Sequence, residues 1–287
     1  MIRSTLRIVL SFAFTIIFAS LALANDKLTV FVSIAPQKYF VQQIGKDLVD
    51  VRVMVPPGAS PATYEPRPKQ MTGLAVSRIY FAVGVAFENT WLDKIAAVNP
   101  GMKVVHTDNG IEKLPMVAHT HPGREGADEH KDSRPDDGDH GPGGLDPHIW
   151  LSPPLVKIQA RTILTALQEI DPGHQNSYAA NYHEFISRID ELDADLKKTF
   201  AGRQNSQFMV FHPAWGYFAR AYGLRQVPIE IEGKKPKPAL LKESIEHARK
   251  KGIRVVFAQP QFSKRSAEIV AREIDGRVVI ADPLAED

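Results

Sequence analysis

Residues 171–200 read DPGHQNSYAANYHEFISRIDELDADLKKTF, and this stretch decides the fold. The pair Asp171-Pro172 is a typical helix start, and neither proline nor glycine interrupts the chain after Gly173. This spacing predicts one amphipathic helix of about thirty residues, about 45 Å long. Its apolar or aromatic positions recur every three or four residues, at Tyr178, Tyr182, Phe185, Ile189, Leu192 and Leu196.

This long helix has two interpretations: a surface helix packed along one domain, or a rigid connection between two domains. The second is favoured because short β-rich runs alternate with helical segments on both sides of it. The predicted strands lie at 28–34, 49–55, 78–83 and 103–106 before the helix, and at 207–211, 226–231, 254–258 and 277–281 after it. Such alternation is typical of βαβ units with parallel sheets.

The predicted fold class is therefore α/β, with two similar α/β lobes that contain parallel sheets and are joined by one long rigid helix. The expected boundaries are 25–170 for the N-terminal lobe, 171–201 for the linking helix and 202–287 for the C-terminal lobe.

The composition sets further limits. With 287 residues, 44% apolar and 24% charged, the chain has room for one or two globular domains, which excludes a disordered tail, a coiled coil and a collagen-like rod. The absence of cysteine excludes disulfides, thiolate nucleophiles, iron–sulfur clusters and Cys-type zinc fingers. A tightly bound metal must therefore use His, Asp or Glu.

Residues 1–24 have the pattern of a cleaved secretory signal peptide: Arg3 and Arg7, an uncharged run over 8–22, and an Ala-Leu-Ala end. Without Arg3 and Arg7, 33 of the 35 basic residues remain and balance the 33 acidic ones, so nucleic-acid binding is not expected. No cysteine is available for a lipid anchor. We expect a soluble protein exported to a bacterial periplasm, without a direct membrane anchor.

Residues 116–145 form a polar, His-rich segment among Asp, Glu, Gly and Pro, with almost no apolar side chains to bury. This composition predicts a mobile loop. Short His-rich tracts are typical of metal binding, and the alternative is a solvated low-complexity loop. A flexible loop binds weakly, so we expect it to collect metal rather than to form the principal site. Its histidines are His119, His121, His130 and His140.

The candidates for a principal metal site are His148, His212 and Asp282. His212 and Asp282 directly follow predicted strands, and ligands of α/β proteins bind at the carboxyl ends of strands. Each residue also has an ordinary explanation. A strand-terminal aspartate often closes a turn, and a lone histidine is often a buried structural residue. Their spacing matches no local metal motif.

Several segments together resemble one protein family, the periplasmic substrate-binding proteins of zinc and manganese ABC importers (cluster A-I, zinc-uptake type). They occur in the family's order and extend over nearly all of the chain after residue 24. The segments are VPPGASPATYEP (55–66), GVAFE (84–88), DPHIWLSP (146–153), FHPAWGYF (211–218), IEGK (231–234), QPQFS (259–263) and ADPL (281–284).

The resemblance implies two α/β lobes joined by a long helix, with one metal ion in the interlobe cleft and a His-rich loop in the zinc-binding members. The family's second, third and fourth ligands fall on His148, His212 and Asp282. The first, usually His, falls on Ala62, which has no donor atom. A water, a loop histidine or Glu65 would complete the site, and we favour a loop histidine or water over Glu65.

The expected function is to capture Zn²⁺ in the periplasm and deliver it to the permease and ATPase subunits of an ABC importer. Zn²⁺ is then the transported ligand, and the protein is expected to be a monomer and not an enzyme. His and Asp ligands suit Zn²⁺ better than Mn²⁺. The alternatives are an importer component for Mn²⁺ or Fe²⁺ and a zinc-dependent hydrolase, although the sequence contains no H-E-x-x-H motif.

Overall fold

The computed structural model describes residues 27–116, 144–230 and 236–286. The predicted signal peptide and the four histidines of the His-rich segment lie outside these ranges. Within them, the strands form two separate four-stranded sheets, and every strand pair is parallel. None of the helices described there is both long enough and apolar enough to cross a lipid bilayer.

The N-terminal sheet has the strand order β2-β1-β3-β4. Its strands are β1 (Leu28–Val32), β2 (Val49–Val53), β3 (Ile79–Ala82) and β4 (Lys103–His106). The helices of this lobe are α1 (Ala35–Gly45), α2 (Pro68–Gly73), α3 (Ala86–Val98) and α4 (Pro153–Ile170). All four residues of β3 are buried, as expected for an inner parallel strand that is covered on both faces.

Helix α4 is not among the sequence predictions, although its buried side chains follow a helical spacing. Two prolines at its start fit the first helical turn, where a missing N–H costs nothing. Its buried residues include Val156, Ala160, Ile163 and Leu167.

The long helix α5 spans Gln175–Thr199, so it begins four residues after the predicted boundary at 171 and ends two residues before the one at 201. Residues Pro172–His174 form a 3₁₀ turn instead. The Asp171 carboxylate makes no capping bond to the backbone, because it accepts hydrogen bonds from the Tyr178 hydroxyl at 2.6 Å and His174 Nδ1 at 2.8 Å.

Both interpretations of the long helix hold for part of its length. From Tyr178 to Ile189 its buried face packs into the N-terminal core, where Phe185 contacts the aromatic rings of α1. The predicted apolar stripe then ends, because Leu192 is 47% exposed and Asp193 is buried in its place. Asp193 accepts a hydrogen bond from Tyr222 of the C-terminal lobe at 3.0 Å, so the end of the helix joins the two lobes.

The C-terminal sheet repeats the topology of the first, with the order β6-β5-β7-β8. Its strands are β5 (Gln207–Val210), β6 (Arg225–Pro228), β7 (Val255–Ala258) and β8 (Arg277–Ile280). The helices are α6 (Gly216–Ala221), α7 (Pro238–Lys251) and α8 (Arg265–Glu273). The predicted pair of similar α/β lobes with parallel sheets is confirmed.

Tyr217 of α6 connects the two lobes, because its ring belongs to the core of the N-terminal lobe. Its hydroxyl donates to the carbonyl of Asp146 at 2.8 Å and accepts from the Leu114 N–H at 2.9 Å. Burial raises the pKa of Tyr217 to about 12, which keeps the hydroxyl protonated and able to donate.

Replacing Tyr217 with Phe should destabilise the protein by about 2 kcal/mol, since the variant leaves the Leu114 N–H and the Asp146 carbonyl without their partner. The free energy of unfolding in a urea titration measures this loss. Tyr39→Phe is the control, because within the described ranges the Tyr39 hydroxyl has no hydrogen-bond partner. Equal stabilities of the two variants would contradict the assigned role.

Candidate metal site

His148 lies where the chain enters a short 3₁₀ turn, Ile149–Leu151, ahead of α4. Both its backbone N–H, at 2.9 Å, and its ring Nδ1, at 2.7 Å, bond to Oδ1 of Asp146. A carboxylate can only accept, so this contact places the hydrogen on Nδ1. The lone pair of Nε2 is then free for a metal ion, in the arrangement that orients histidine ligands in metalloproteins.

His212 is held in the same way in the other lobe. It follows β5, and its Nδ1 bonds to the fully buried carboxylate of Glu230, which follows β6. The sheet register pairs Val210 with Pro228, so His212 and Glu230 emerge two residues later at the same edge. The ring of Phe262 stacks on the His212 ring, with the centroids 4.8 Å apart.

The two histidines meet across the interlobe cleft, with their Nε2 atoms 3.4 Å apart. Two Zn–N bonds of about 2.05 Å at the tetrahedral angle separate the nitrogens by about 3.3 Å. If both Nδ1 atoms carry hydrogen, two lone pairs face each other, and a proton or a metal cation between them relieves the repulsion. The pair therefore has the spacing of two ligands on one ion.

Asp282 follows β8, but its carboxylate is engaged elsewhere. Oδ1 accepts hydrogen bonds from Gln261 Nε2 at 2.7 Å and from the Leu284 N–H at 2.9 Å. Across residues 27–116, 144–230 and 236–286, no three His, Asp or Glu side chains are grouped closely enough to hold a metal ion. The structure thus brings His148 and His212 together without Asp282, which here closes a turn and stays a predicted ligand.

The cleft has a volume of about 710 Å³, and Ala62 is one of its lining residues together with His148 and His212. Ala62, at the position of the family's first ligand, therefore lies at the cleft but offers no donor atom to a metal. Glu65, proposed as a replacement, is exposed and does not line the cleft.

The His-rich segment begins and ends beside this cleft. Met116 and Gly144 line it, and the Met116 N–H donates to the Gly144 carbonyl at 2.8 Å. Pro115 and Leu145 form an antiparallel bridge that holds the two chain ends side by side. His119, His121, His130 and His140 themselves lie outside the described residues.

Two carboxylates of the N-terminal wall, those of Glu88 and Asp108, make contacts with neighbouring groups. Glu88 accepts from the Val83 N–H at 3.0 Å and the Gly84 N–H at 2.7 Å, and burial raises its pKa. Asp108 forms an ion pair with Lys113 at 2.5 Å. These two carboxylates are held by neighbouring groups, whereas Nε2 of each of the two histidines has a lone pair available to a cation.

The roles of Asp146 and Glu230 are absent from the sequence predictions. For Asp146 the available signal was its position two residues before His148. For Glu230 the signal was its position just after β6, the strand that pairs with β5. Neighbouring parallel strands bring their carboxyl ends together, so Glu230 lies near His212.

The sequence model of one family, described as the periplasmic component A of a zinc-uptake complex (ZnuA), matches residues 30–287. This chain belongs to that family. Among curated relatives, the high-affinity zinc uptake protein ZnuA of Bacillus subtilis (strain 168) is 28% identical over 264 residues, which are 91% of this chain and 79% of that protein.

Solved structures of the zinc-uptake component family agree with the fold. A crystal structure of ZnuA matches with a TM-score of 0.79 and 40% identity, over 91% of this chain and 93% of that one. A ZnuA deletion mutant with zinc bound matches with a TM-score of 0.78 and 41% identity, over 91% and 92% of the two chains. The family resemblance seen in the sequence is confirmed.

We expect the His148 imidazole to titrate below about 6.5, the unperturbed value, because burial lowers its pKa more than the neighbouring Asp146 raises it. Between the lowered and the unperturbed pKa the unfolded chain binds more protons, so this histidine reduces the stability of the fold as the pH falls below about 6.5. NMR titration of the ring protons of metal-free protein measures the pKa. A midpoint above 6.5 would show that Asp146 outweighs burial.

Proposed function

We propose that this protein binds Zn²⁺ in the cleft between its lobes through Nε2 of His148 and Nε2 of His212 and delivers it to the permease of an ABC importer. As a member of the zinc-uptake component A family, it is a substrate-binding component of a transporter and not an enzyme. The observation that carries the choice of site is the Nε2–Nε2 separation of 3.4 Å across the cleft.

The charges around the two histidines support this proposal. Each ring has a buried carboxylate on its far nitrogen, Asp146 in one lobe and Glu230 in the other. These carboxylates strengthen the electron donation of the imidazoles and compensate the charge of a divalent cation in a buried site. Two nitrogen donors favour Zn²⁺ over Mn²⁺, which prefers oxygen ligands and a higher coordination number.

Asp282 is proposed as the third ligand. It follows β8 and His212 follows β5, and the carboxyl ends of these parallel strands lie on the same side of one sheet. Its carboxylate would exchange its bond with the Leu284 N–H for the metal. A water would complete a tetrahedral shell at the side of Ala62.

The His-rich segment is proposed as a collector that passes Zn²⁺ to the cleft. The support for this proposal is that both ends of the segment, Met116 and Gly144, line the same cleft as His148 and His212. Neutral imidazoles bind Zn²⁺ weakly when a chain does not fix their geometry, which suits transfer rather than storage.

We further propose that the protein is a periplasmic monomer, exported by a signal peptide that is cleaved after Ala24. The pattern of residues 1–24 and the absence of cysteine support cleavage without a lipid anchor. The membrane permease and ATPase subunits of the importer are its expected partners.

Isothermal titration of metal-free protein with Zn²⁺ and Mn²⁺ tests the site. The double variant His148→Ala, His212→Ala should bind Zn²⁺ at least 100-fold more weakly, because it removes both nitrogen donors. His183→Ala is the control, an exposed histidine of the long helix. Removing the four loop histidines should leave the tight site in place and abolish only weak binding. Unchanged tight binding in the double variant would refute the proposed site.

Glu230→Gln tests the orienting carboxylates. The amide keeps the size of the side chain but loses the negative charge, so Zn²⁺ affinity should fall by about 10–100-fold. The measurement is a competition titration against a chelator of known affinity, with Glu246→Gln, at an exposed position of α7, as the matched control. If both variants bind Zn²⁺ as the unmodified protein does, Glu230 has no part in metal binding.

A further inference from the structure

The four residues after β7, Gln259 to Phe262, contact both predicted ligands of the C-terminal lobe. Gln259 accepts from the His212 N–H at 3.2 Å and donates to the His212 carbonyl at 2.9 Å. The Phe262 ring stacks on the His212 imidazole. Between them, Gln261 donates to Asp282 at 2.7 Å. This short segment therefore connects two side chains that lie 70 residues apart in the sequence.

The amide of Gln261 has a defined orientation. The Asp282 carboxylate can only accept hydrogen bonds, so the NH₂ group of Gln261 must be the side that contacts it. This leaves Oε1 on the other side of the amide, where it is buried and has no hydrogen-bond partner among the described residues. Gln261 also lines the cleft together with Ala62, His148 and His212.

A buried amide oxygen without a donor is unfavourable unless a ligand supplies one. A water bound to Zn²⁺ is such a ligand, because the cation polarises its O–H bonds and makes it a strong donor. A site with fewer than four protein donors keeps a water on the metal. At Ala62 the chain provides no donor, so a water ligand is expected in this cleft.

We propose that Gln261 is a positioning residue of the metal site. Its Nε2 holds the Asp282 carboxylate, and its Oε1 accepts a hydrogen bond from the water that completes the Zn²⁺ shell. This inference rests on the proposed function, because it requires Zn²⁺ to bind at His148 and His212. The inference adds one residue to the proposed site. Gln261 would connect Asp282 to the water ligand that takes the place left without a donor at Ala62.

A double-mutant cycle with Gln261→Met and Asp282→Ala tests the inference. Methionine keeps the length of glutamine without its hydrogen bonds. Gln261→Met should weaken Zn²⁺ binding about tenfold in the unmodified chain and by a smaller factor in the Asp282→Ala background, where only the water contact remains. Gln204→Met, at an exposed glutamine of the same lobe, is the control and should leave affinity unchanged.

Cobalt substitution gives a readout that a merely structural role would not change. The visible d–d absorption of bound Co²⁺ depends on the number and geometry of its ligands, so Gln261→Met should shift this spectrum while Gln204→Met should not. Urea unfolding of the metal-free variants determines whether Gln261→Met also alters the fold.

Three outcomes overturn the inference: Zn²⁺ affinity and cobalt spectrum unchanged in Gln261→Met, equal losses in both backgrounds of the cycle, or a loss of stability with no change in metal binding. In each case the proposed function stands if the unmodified protein binds Zn²⁺ tightly and the His148→Ala, His212→Ala variant does not. Absence of tight Zn²⁺ binding by the unmodified protein would instead refute both proposals.

Discussion

Two hydrogen bonds between a carboxylate and an imidazole govern the site. Asp146 binds Nδ1 of His148, Glu230 binds Nδ1 of His212, and both carboxylates are buried. Each contact fixes the tautomer and the ring orientation of its histidine, so both Nε2 lone pairs are directed into one cleft. At 3.4 Å these lone pairs repel each other unless a cation lies between them. Two histidines oriented in this way have the geometry of a preorganised pair of metal ligands.

The distance between the histidines depends on how the lobes pack, because each lobe supplies one of them. Tyr217 inserts into the N-terminal core and bonds to Asp146, the residue that orients His148. At Gly216 a Cβ atom would lie 2.8 Å from Asp146 Oδ2, so glycine allows this carboxylate to approach α6. Trp150, which contacts the His148 ring, also donates to the Pro283 carbonyl at 2.7 Å, next to Asp282. Lobe packing and the orientation of His148 therefore depend on the same residues.

Most of the fold follows from local patterns. The strands of the two lobes were predictable because apolar periodicity is a property of neighbouring residues, whereas α4 was missed although its buried side chains have a helical spacing. The long helix was predictable from Tyr178 to Ile189 for the same reason. The prediction was wrong at Leu192, where the core of one lobe ends and the buried position passes to Asp193, which bonds to Tyr222 of the other lobe. The apolar periodicity of a helix does not indicate where the core that it packs against ends.

The sequence by itself determined that a tightly bound metal must use His, Asp or Glu, and the family resemblance then assigned His148, His212 and Asp282 as predicted ligands and placed Ala62 where the family's first ligand falls. The first conclusion needs only residue types, and the second needs the order of the family's motifs along the chain. Only the tertiary structure decided that His148 and His212 face each other, that Glu230 supports His212, and that Asp282 bonds to Gln261 and Leu284. The physical reason is that these contacts join residues far apart in sequence, and strand register and lobe packing set their distances.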